Sequence, residues 1–305
     1  MSEHNLTNNE LELRSARPGD LDQVARLCRA LDPDDWIPEV FPEWAGRQDG
    51  TLAVAVAGDQ VVGLLGHALI TPREAYLMGM RVHPGYHRLG IAKALTNYVT
   101  HQAFRSGAGV ARLTTRRDNV AAQALLDATG YHRLGLWDNI PDWDWPAAMP
   151  RVSPPSAVGL HVRPARVEDL QWLWPWLEEA SRASDAPGLI AQPGETFEVM
   201  SLTRQDLVSH IEAGEGWAAG PPGFPPDESA FALLDRRSQA WILRQFIGVL
   251  PAAARLLAEL DGLVREAGQG VVNVTLPGSQ FRLLVEAGLQ GYQSAWWPGY
   301  VYQKP

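Results

Sequence analysis

The chain has 305 residues, 46% of them hydrophobic and 20% charged, the balance of a globular protein rather than a disordered one. At roughly 100–200 residues per domain, that length predicts two domains. The net charge is −9, and the single cysteine, Cys28, excludes both an internal disulfide framework and a Cys-rich zinc site. Both halves are acidic, with 14 basic and 18 acidic side chains in residues 1–150 and 12 and 17 in residues 151–305. No nucleic-acid partner is therefore expected. No apolar run approaches the roughly 18 residues of a membrane span, so no membrane partner is expected either. The polar start Met1-Ser2-Glu3-His4-Asn5 argues against a secretory signal, which makes the cytoplasm the expected location.

Residues 13–21 read Leu-Arg-Ser-Ala-Arg-Pro-Gly-Asp-Leu, a short strand leading to Asp20 as an N-cap or first-turn acid. Leu21, Val24, Ala25, Leu27 and Cys28 then recur at helical spacing. Trp36, Phe41 and Trp44 follow, either as the wall of a pocket or as a local apolar cluster. Residues 51–57 and 60–70 read as strands around a Gly58-Asp59 hairpin turn, and 76–82 as a third strand. A helix over 91–105 ends at Gly107, a strand covers 111–115, a helix over 121–129 ends at Gly130, and a strand covers 131–136. Hairpins first and β-α-β-α-β later predict an α/β fold with a mixed sheet flanked by helices.

Residues 146–159 contain Pro146, Pro150, Pro154 and Pro155 and read as a linker. Beyond it, residues 162–170 read Val-Arg-Pro-Ala-Arg-Val-Glu-Asp-Leu, a match to residues 13–21 at an offset of 162 − 13 = 149, with Asp169 in the place of Asp20. Gly130-Tyr131 before Trp137 is matched by Gly291-Tyr292 before Trp296. Two matches in the same order predict a duplication, with domains at 1–148 and 160–305. Trp172 and Trp176 share a helix face and are expected to pack between the copies, and Pro175 is expected to kink that helix.

The stretch that carries chemistry is Met80-Arg81-Val82-His83-Pro84-Gly85-Tyr86-His87-Arg88-Leu89-Gly90-Ile91-Ala92-Lys93. A strand, a Pro-Gly turn and a glycine-containing loop open a helix, and free N–H groups and the helix dipole there favour an anion. Gly90 removes a Cβ, Ala92 keeps the next turn small, and Arg88 and Lys93 add positive charge, so the pattern predicts a pyrophosphate cradle. His83 and His87 are four apart, but Pro84-Gly85 forbids the helix that would make them a metal pair, and no metal is expected. Arg116 and Arg117 read as a solvated turn in preference to a contact with a ligand phosphate.

This segment resembles the GCN5-related N-acetyltransferase (GNAT) superfamily. Its acetyl-CoA loop is Gln/Arg-x-x-Gly-x-Gly/Ala after a strand ending Val-x-Pro. Val82-x-Pro84 and Gly90-x-Ala92 match, while His87 stands at the Gln/Arg position. A second family motif is matched by Asn119-x-x-Ala122-x-x-Leu125-Leu126-x-x-x-Gly130-Tyr131, with Leu126 where many members carry a tyrosine that protonates the departing thiolate. The resemblance covers residues 11–136, and the second copy in outline. It implies two tandem acyl-CoA N-acyltransferase domains, acetyl-CoA as cosubstrate, and a small-molecule or peptide amine as acceptor. It assigns acetyl-CoA binding to Met80, Arg81, Val82, His87, Arg88, Leu89, Gly90, Ile91, Ala92, Lys93 and Asn119. Family bases often project from the strand ending at Val82, where Glu74 and Tyr76 share one side. Glu74 is thus the candidate to act directly or through water, with an exposed strand-end carboxylate as the plainer reading, and the expectation is water-mediated deprotonation aided by Glu74 with no single indispensable acid or base. Tyr131 is a proton source only if its hydroxyl reaches the sulfur, and a core aromatic otherwise.

The second copy lacks this equipment. Residues 240–247 form its matching strand, but Gly248-Val249-Leu250-Pro251 carries no Gly-x-Gly/Ala, and Leu276-Pro277-Gly278-Ser279-Gln280 lacks Asn-x-x-Ala. It reads as a degenerate copy that kept the fold and lost acetyl-CoA. The leading expectation is acetyl transfer in the first copy. The alternatives are a mycothiol-synthase-like tandem, in which the second copy is the active one, and a non-catalytic acyl-CoA-binding or scaffold protein.

Overall fold

A computed structural model describes residues 11–148, 150–151, 159–183, 188–191, 198–236, 240–268, 270–293 and 296–305. The polar start and most of the proline-rich linker lie outside the described residues. The chain forms two compact units: Met1–Leu113, Asn119–Arg133 and Tyr302–Pro305 make the first, and Thr114–Asp118 and Leu134–Val301 the second.

The first unit contains β1 (Leu11–Ser15), α1 (Leu21–Arg29), α2 (Ile37–Gly46), β2 (Gly50–Ala57), β3 (Gln60–Thr71), β4 (Glu74–Val82), α3 (Ile91–Arg105), the start of β5 (Val110–Arg116) and α4 (Val120–Ala128). Strands β1 to β4 are antiparallel neighbours in chain order, and β5 joins β4 in parallel. Val24, Leu27, Ile37 and Phe41 from α1 and α2 bury against Leu52, Val54 and Leu64 of the sheet. Asp20 does not cap α1 with its side chain. Its carboxylate takes two bonds from Arg14, at 2.7 and 2.8 Å, and one from the Arg17 N–H at 2.7 Å. The Arg14 guanidinium is the main cause holding that carboxyl below the usual carboxylate range.

The second unit takes most of β6 (His132–Asp144), then α5 (Trp145–Ala148), β7 (His161–Pro164), α6 (Leu170–Ala183), β8 (Leu189–Ala191), β9 (Val199–Ser201), α7 (Arg204–Glu212), β10 (Gly216–Gly220), β11 (Ala230–Arg236), β12 (Trp241–Gly248), α8 (Leu250–Glu266), β13 (Val271–Pro277), α9 (Gly278–Glu286) and residues 297–301 of β14 (Trp297–Lys304). Its sheet runs β6-β13-β12-β11-β10-β7, with β12 and β13 parallel and the other pairs antiparallel, and β8 and β9 form a separate hairpin. Arg163 and Asp169 repeat the Arg14–Asp20 pair at 2.6 and 2.7 Å, and the Arg166 N–H repeats the third bond at 2.8 Å. Trp172 stacks on Phe224 of the same unit, with centroids 6.4 Å apart, so the expected packing between copies gives way to local packing.

The compact units differ from the sequence copies by an exchange of terminal strands. From Leu134 onward β6 lies in the second unit, paired with β13 from Pro277↔Trp137 to Val271↔Asp144. Conversely, Tyr302–Pro305 lies in the first unit, where Gln303 accepts from Arg112 Nε at 2.9 Å and Lys304 Nζ donates to the Thr129 carbonyl at 2.7 Å. A repeat marks where each copy begins, whereas pairing depends on which strand edge is free, and two similar final strands satisfy either edge. No described helix is long and apolar enough to cross a membrane.

Candidate active site

In the first unit β4 and β5 pair over only three residues, from Glu74↔Val110 to Tyr76↔Arg112. Beyond Tyr76, β4 continues to Val82 and its burial drops from full to partial at Met78. The strand bulges there: β3 advances from Leu64 to Gly66 while β4 advances from Arg81 back to Met78, one residue more. Gly79 absorbs the bulge with φ +78°, and a Cβ at that position would stand 2.8 Å from the Trp44 ring. A strand edge released from its neighbour offers backbone N–H and C=O groups to an extended ligand. Trp44 lies against this half of β4, and Trp36 meets it edge-on at 5.3 Å. Phe41 is fully buried and belongs to the core. Arg81 turns its side chain to Asp35, at 2.6 Å, and ties the segment before α2 to β4.

The following loop is braced by its own histidines. His83 Nδ1 accepts from the Gly85 N–H at 3.1 Å, and His87 Nε2–H donates to the Val82 carbonyl at 2.9 Å. Both rings thus serve the turn. Arg88 and Gly90 adopt left-handed conformations, with φ of +65° and +78°. The N–H groups of Arg88, Leu89 and Gly90 make no hydrogen bond among the described residues. Helical bonding begins with Ala94 N–H to Gly90 at 2.9 Å, which leaves the N–H groups of Ile91, Ala92 and Lys93 free as well. Consecutive free N–H groups in such a turn form a concave anion site, reinforced by the helix dipole. No described heavy atom lies within 4 Å of the position a Gly90 Cβ would take. Arg88 and Lys93 are exposed beside it.

Glu74 lies away from this opening, and Tyr131, Asn119 and Leu126 are each engaged within the fold. Glu74 lies at the closed end of β4, eight residues or about 26 Å along the strand from Val82. It is buried and paired with Arg112 at 3.1 Å. Tyr131 is 2% exposed, bonds the Thr100 hydroxyl at 2.7 Å, and is pushed up to about 12 by burial. Asn119 Oδ1 caps α4, accepting from the Ala122 N–H at 3.1 Å, and Leu126 is buried. The residues that sequence reasoning missed are Gly79 and Asp35. A glycine inside a strand pattern is the signal for a bulge. Asp35 gave none, since its partner Arg81 is 46 residues away.

The second unit builds the same wedge and fills it. β12 and β13 pair over three residues, ending at Leu243↔Val274. Three residues on, the Phe246 N–H donates to Gln280 Oε1 at 2.9 Å, and Gln280 Nε2 donates to Gln245 Oε1 at 2.8 Å. The hairpin strand β8 covers the same region, its Leu189 carbonyl accepting from Gln245 at 3.0 Å and its Ala191 carbonyl from Arg244 at 3.1 Å.

Residues 20–131 match the model of the acetyltransferase (GNAT) family. The structure of a GCN5-related N-acetyltransferase from Sphaerobacter thermophilus is similar over 98% of this chain and 96% of that one, at 18% identity and a TM-score of 0.58. A GCN5-related glucosamine N-acetyltransferase region of a fungal multi-domain GH3 beta-N-acetylglucosaminidase is similar over 96% of this chain and 38% of that one, at 13% identity and a TM-score of 0.57. At these identities the likeness is one of fold. No curated protein matches the chain.

Proposed function

We propose that this chain, whose residues 20–131 match the acetyltransferase (GNAT) family model, is an enzyme that transfers the acetyl group of acetyl-CoA to an amine, with the reaction in the first unit. The observation that carries this reading is the run of free N–H groups from Arg88 to Lys93 beside the released half of β4. Those groups suit a pyrophosphate, and the exposed Arg88 and Lys93 add charge for it. The cosubstrate supplies a thioester, the activated form of the acetyl group.

The chain's own residues do the rest. Backbone N–H groups on the open edge of β4 donate to the thioester carbonyl oxygen and stabilise the negative charge that grows there during attack. Trp36 and Trp44 wall the acceptor side, and Gly79 lets the Trp44 ring lie directly on the strand. Residues 77–82 read Leu-Met-Gly-Met-Arg-Val, with neither a carboxylate nor an imidazole among them. Water therefore takes the proton from the acceptor's ammonium, the freed amine attacks the thioester carbonyl, and the C–S bond breaks to release the CoA thiolate, which is protonated from solvent. Asn119 sets the start of α4. The acceptor is a small-molecule or peptide amine, and the filled wedge of the second unit supports placing one acetyl-CoA site in each chain. The buried Leu126 and Tyr131 favour a second reading, an acyl-CoA-binding protein without turnover.

The test is release of free thiol from acetyl-CoA in the presence of polyamines, amino sugars and peptide N-termini, with calorimetry of acetyl-CoA alone. Amine-dependent thiol release at one site per chain is expected. Binding without turnover on every amine would support the second reading, and absence of binding would defeat both.

A further inference from the structure

The second unit contains a cavity of about 240 Å³ beneath α6 and the β8–β9 hairpin, a liquid volume of about eight water molecules. Trp174, Leu177, Leu189 and Ile247 line its apolar side. Gln245 and Gln280 line its polar side, here called the floor, and the exposed Glu178 also borders it. We propose that this cavity binds a small neutral amide with an apolar body. The proposal does not rest on the acetyl-transfer reading of the first unit.

Hydrogen-bond accounting at the floor decides the polar end of the ligand. A primary carboxamide carries two N–H donors and a carbonyl oxygen with two lone pairs. Gln245 gives one N–H to the Leu189 carbonyl and its oxygen takes a bond from Gln280. Gln280 gives that one N–H, and its oxygen takes the Phe246 N–H. Each side chain therefore keeps one N–H with no partner among the described residues, and Gln245 is 3% exposed. A buried donor of this kind calls for an acceptor oxygen.

Charge decides which kind of oxygen. Among the described residues no cationic side chain lines the cavity. The nearby Arg244 is committed to the buried Asp235 and to the Ala191 carbonyl. A carboxylate ligand would find no counter-charge among the described residues and would face Glu178. An ammonium would meet Glu178 but would leave the two free N–H groups of the floor unanswered. A neutral amide carbonyl satisfies the floor, and its apolar remainder lies along Trp174 and Leu177.

The experiment is calorimetric titration of the full chain with N-acetyl-2-phenylethylamine, 2-phenylethylamine and phenylacetate. For each probe, the binding assigned to the cavity is the part lost in Ala180→Trp, which fills it from the half-buried side of α6. The amide is expected to bind saturably and at least about tenfold more tightly than either charged probe. Gln280→Leu, which removes one floor donor, is expected to weaken the amide by about tenfold or more. Glu178→Gln is expected to narrow the gap between the amide and phenylacetate. Equal binding of the three probes, amide affinity unchanged in folded Ala180→Trp or Gln280→Leu, or no binding of the amide at millimolar concentration would each overturn the assignment.

Discussion

In the first unit the parallel pair β4–β5 stops at Tyr76↔Arg112, and in the second the pair β12–β13 stops at Leu243↔Val274. Each splitting strand bulges just past that point, at Gly79 in one and at Arg244 in the other. The wedge is thus a property of the shared fold, and the copies diverge in the turn beyond it. The first unit ends β4 in a turn with two left-handed residues and an open glycine, Gly90. The second ends β12 at Gly248, where a Cβ would stand 2.4 Å from the Ala230 backbone, so this glycine serves packing against β11. Pro251 then removes one of the N–H groups at the start of α8. Gln280 closes the released strand edge with a side-chain amide. One wedge leaves its strand edge open, and the other satisfies the released edge with a side-chain amide.

The sharpest way to break this contrast is Gly90→Glu. A Cβ here meets no described heavy atom within 4 Å and the position is exposed, so the protein is expected to stay folded apart from roughly 1–2 kcal/mol of left-handed strain. Its carboxylate would compete for the free N–H groups proposed to hold the phosphates. Acetyl-CoA affinity is expected to fall by more than about a hundredfold, about 2.7 kcal/mol. Calorimetry with a melting curve as control checks this, and unchanged affinity in a folded variant would remove the loop from the site.

The cores also differ in how they bury polar groups, and pH separates them. The second unit pairs Arg244 with Asp235, whereas His67 on β3 is 3% exposed with neither ring nitrogen bonded among the described residues. Burial pushes His67 down to about 4 from its ordinary 6.5. Between those values the unfolded chain holds a proton that the folded chain lacks. The stability from His67 is therefore complete above pH 6.5 and lost as pH falls towards 4, a change of about 3 kcal/mol. Asp20, held below the usual carboxylate range, loses its contribution only at lower pH. Denaturation at pH 7, 5.5 and 4 should show the slope in the parent and a flatter one in His67→Leu. Equal slopes would mean that the imidazole has a partner.

Gln280→Leu sharpens the contrast from the other side. It leaves the Phe246 N–H without its acceptor and is expected to cost about 1–3 kcal/mol of stability. It should not create a second acetyl-CoA site, because the turn after β12 still lacks the run of free N–H groups. A calorimetric stoichiometry that rises from one to two would show that the plug alone separates the copies.

Local spacing made much of this legible. The helix expected over 91–105 is observed as Ile91–Arg105, and Gly90 stands where the loop pattern put it. The Arg14–Asp20 and Arg163–Asp169 pairs give the repeat a physical cause that its spelling only hinted at. The features that stayed hidden depend on distant partners. α2 went unread because Pro42 lies inside it and its aromatics suggested a cluster. β6 runs on through Pro141 to Asp144, past the expected end at 136, because β13 of the other copy supplies its partner. Gln280 meets Phe246 across 34 residues, and no motif announces that contact. Glu74 was placed on the right strand, but alternation says which face a residue takes and nothing about which end of the strand opens.

The smallest effects are expected where sequence reasoning put the acid and the base. A positioned acid or base typically contributes about 10²–10⁴-fold in rate. Glu74→Gln removes a charge at the closed end of β4 and leaves Arg112 buried beside it, so it should lower stability while kcat/KM falls by less than about 10²-fold. Tyr131→Phe removes less still. Its hydroxyl is buried against Thr100, and burial that pushes it up to about 12 makes it a poor proton donor to a thiolate. The variant should lose about 1 kcal/mol of stability, the worth of one hydrogen bond, and keep kcat/KM within about twofold across pH. If kcat/KM instead drops by more than about 10³-fold with acetyl-CoA binding intact, Tyr131 reaches the reacting atoms in the working enzyme and water is not the only proton carrier.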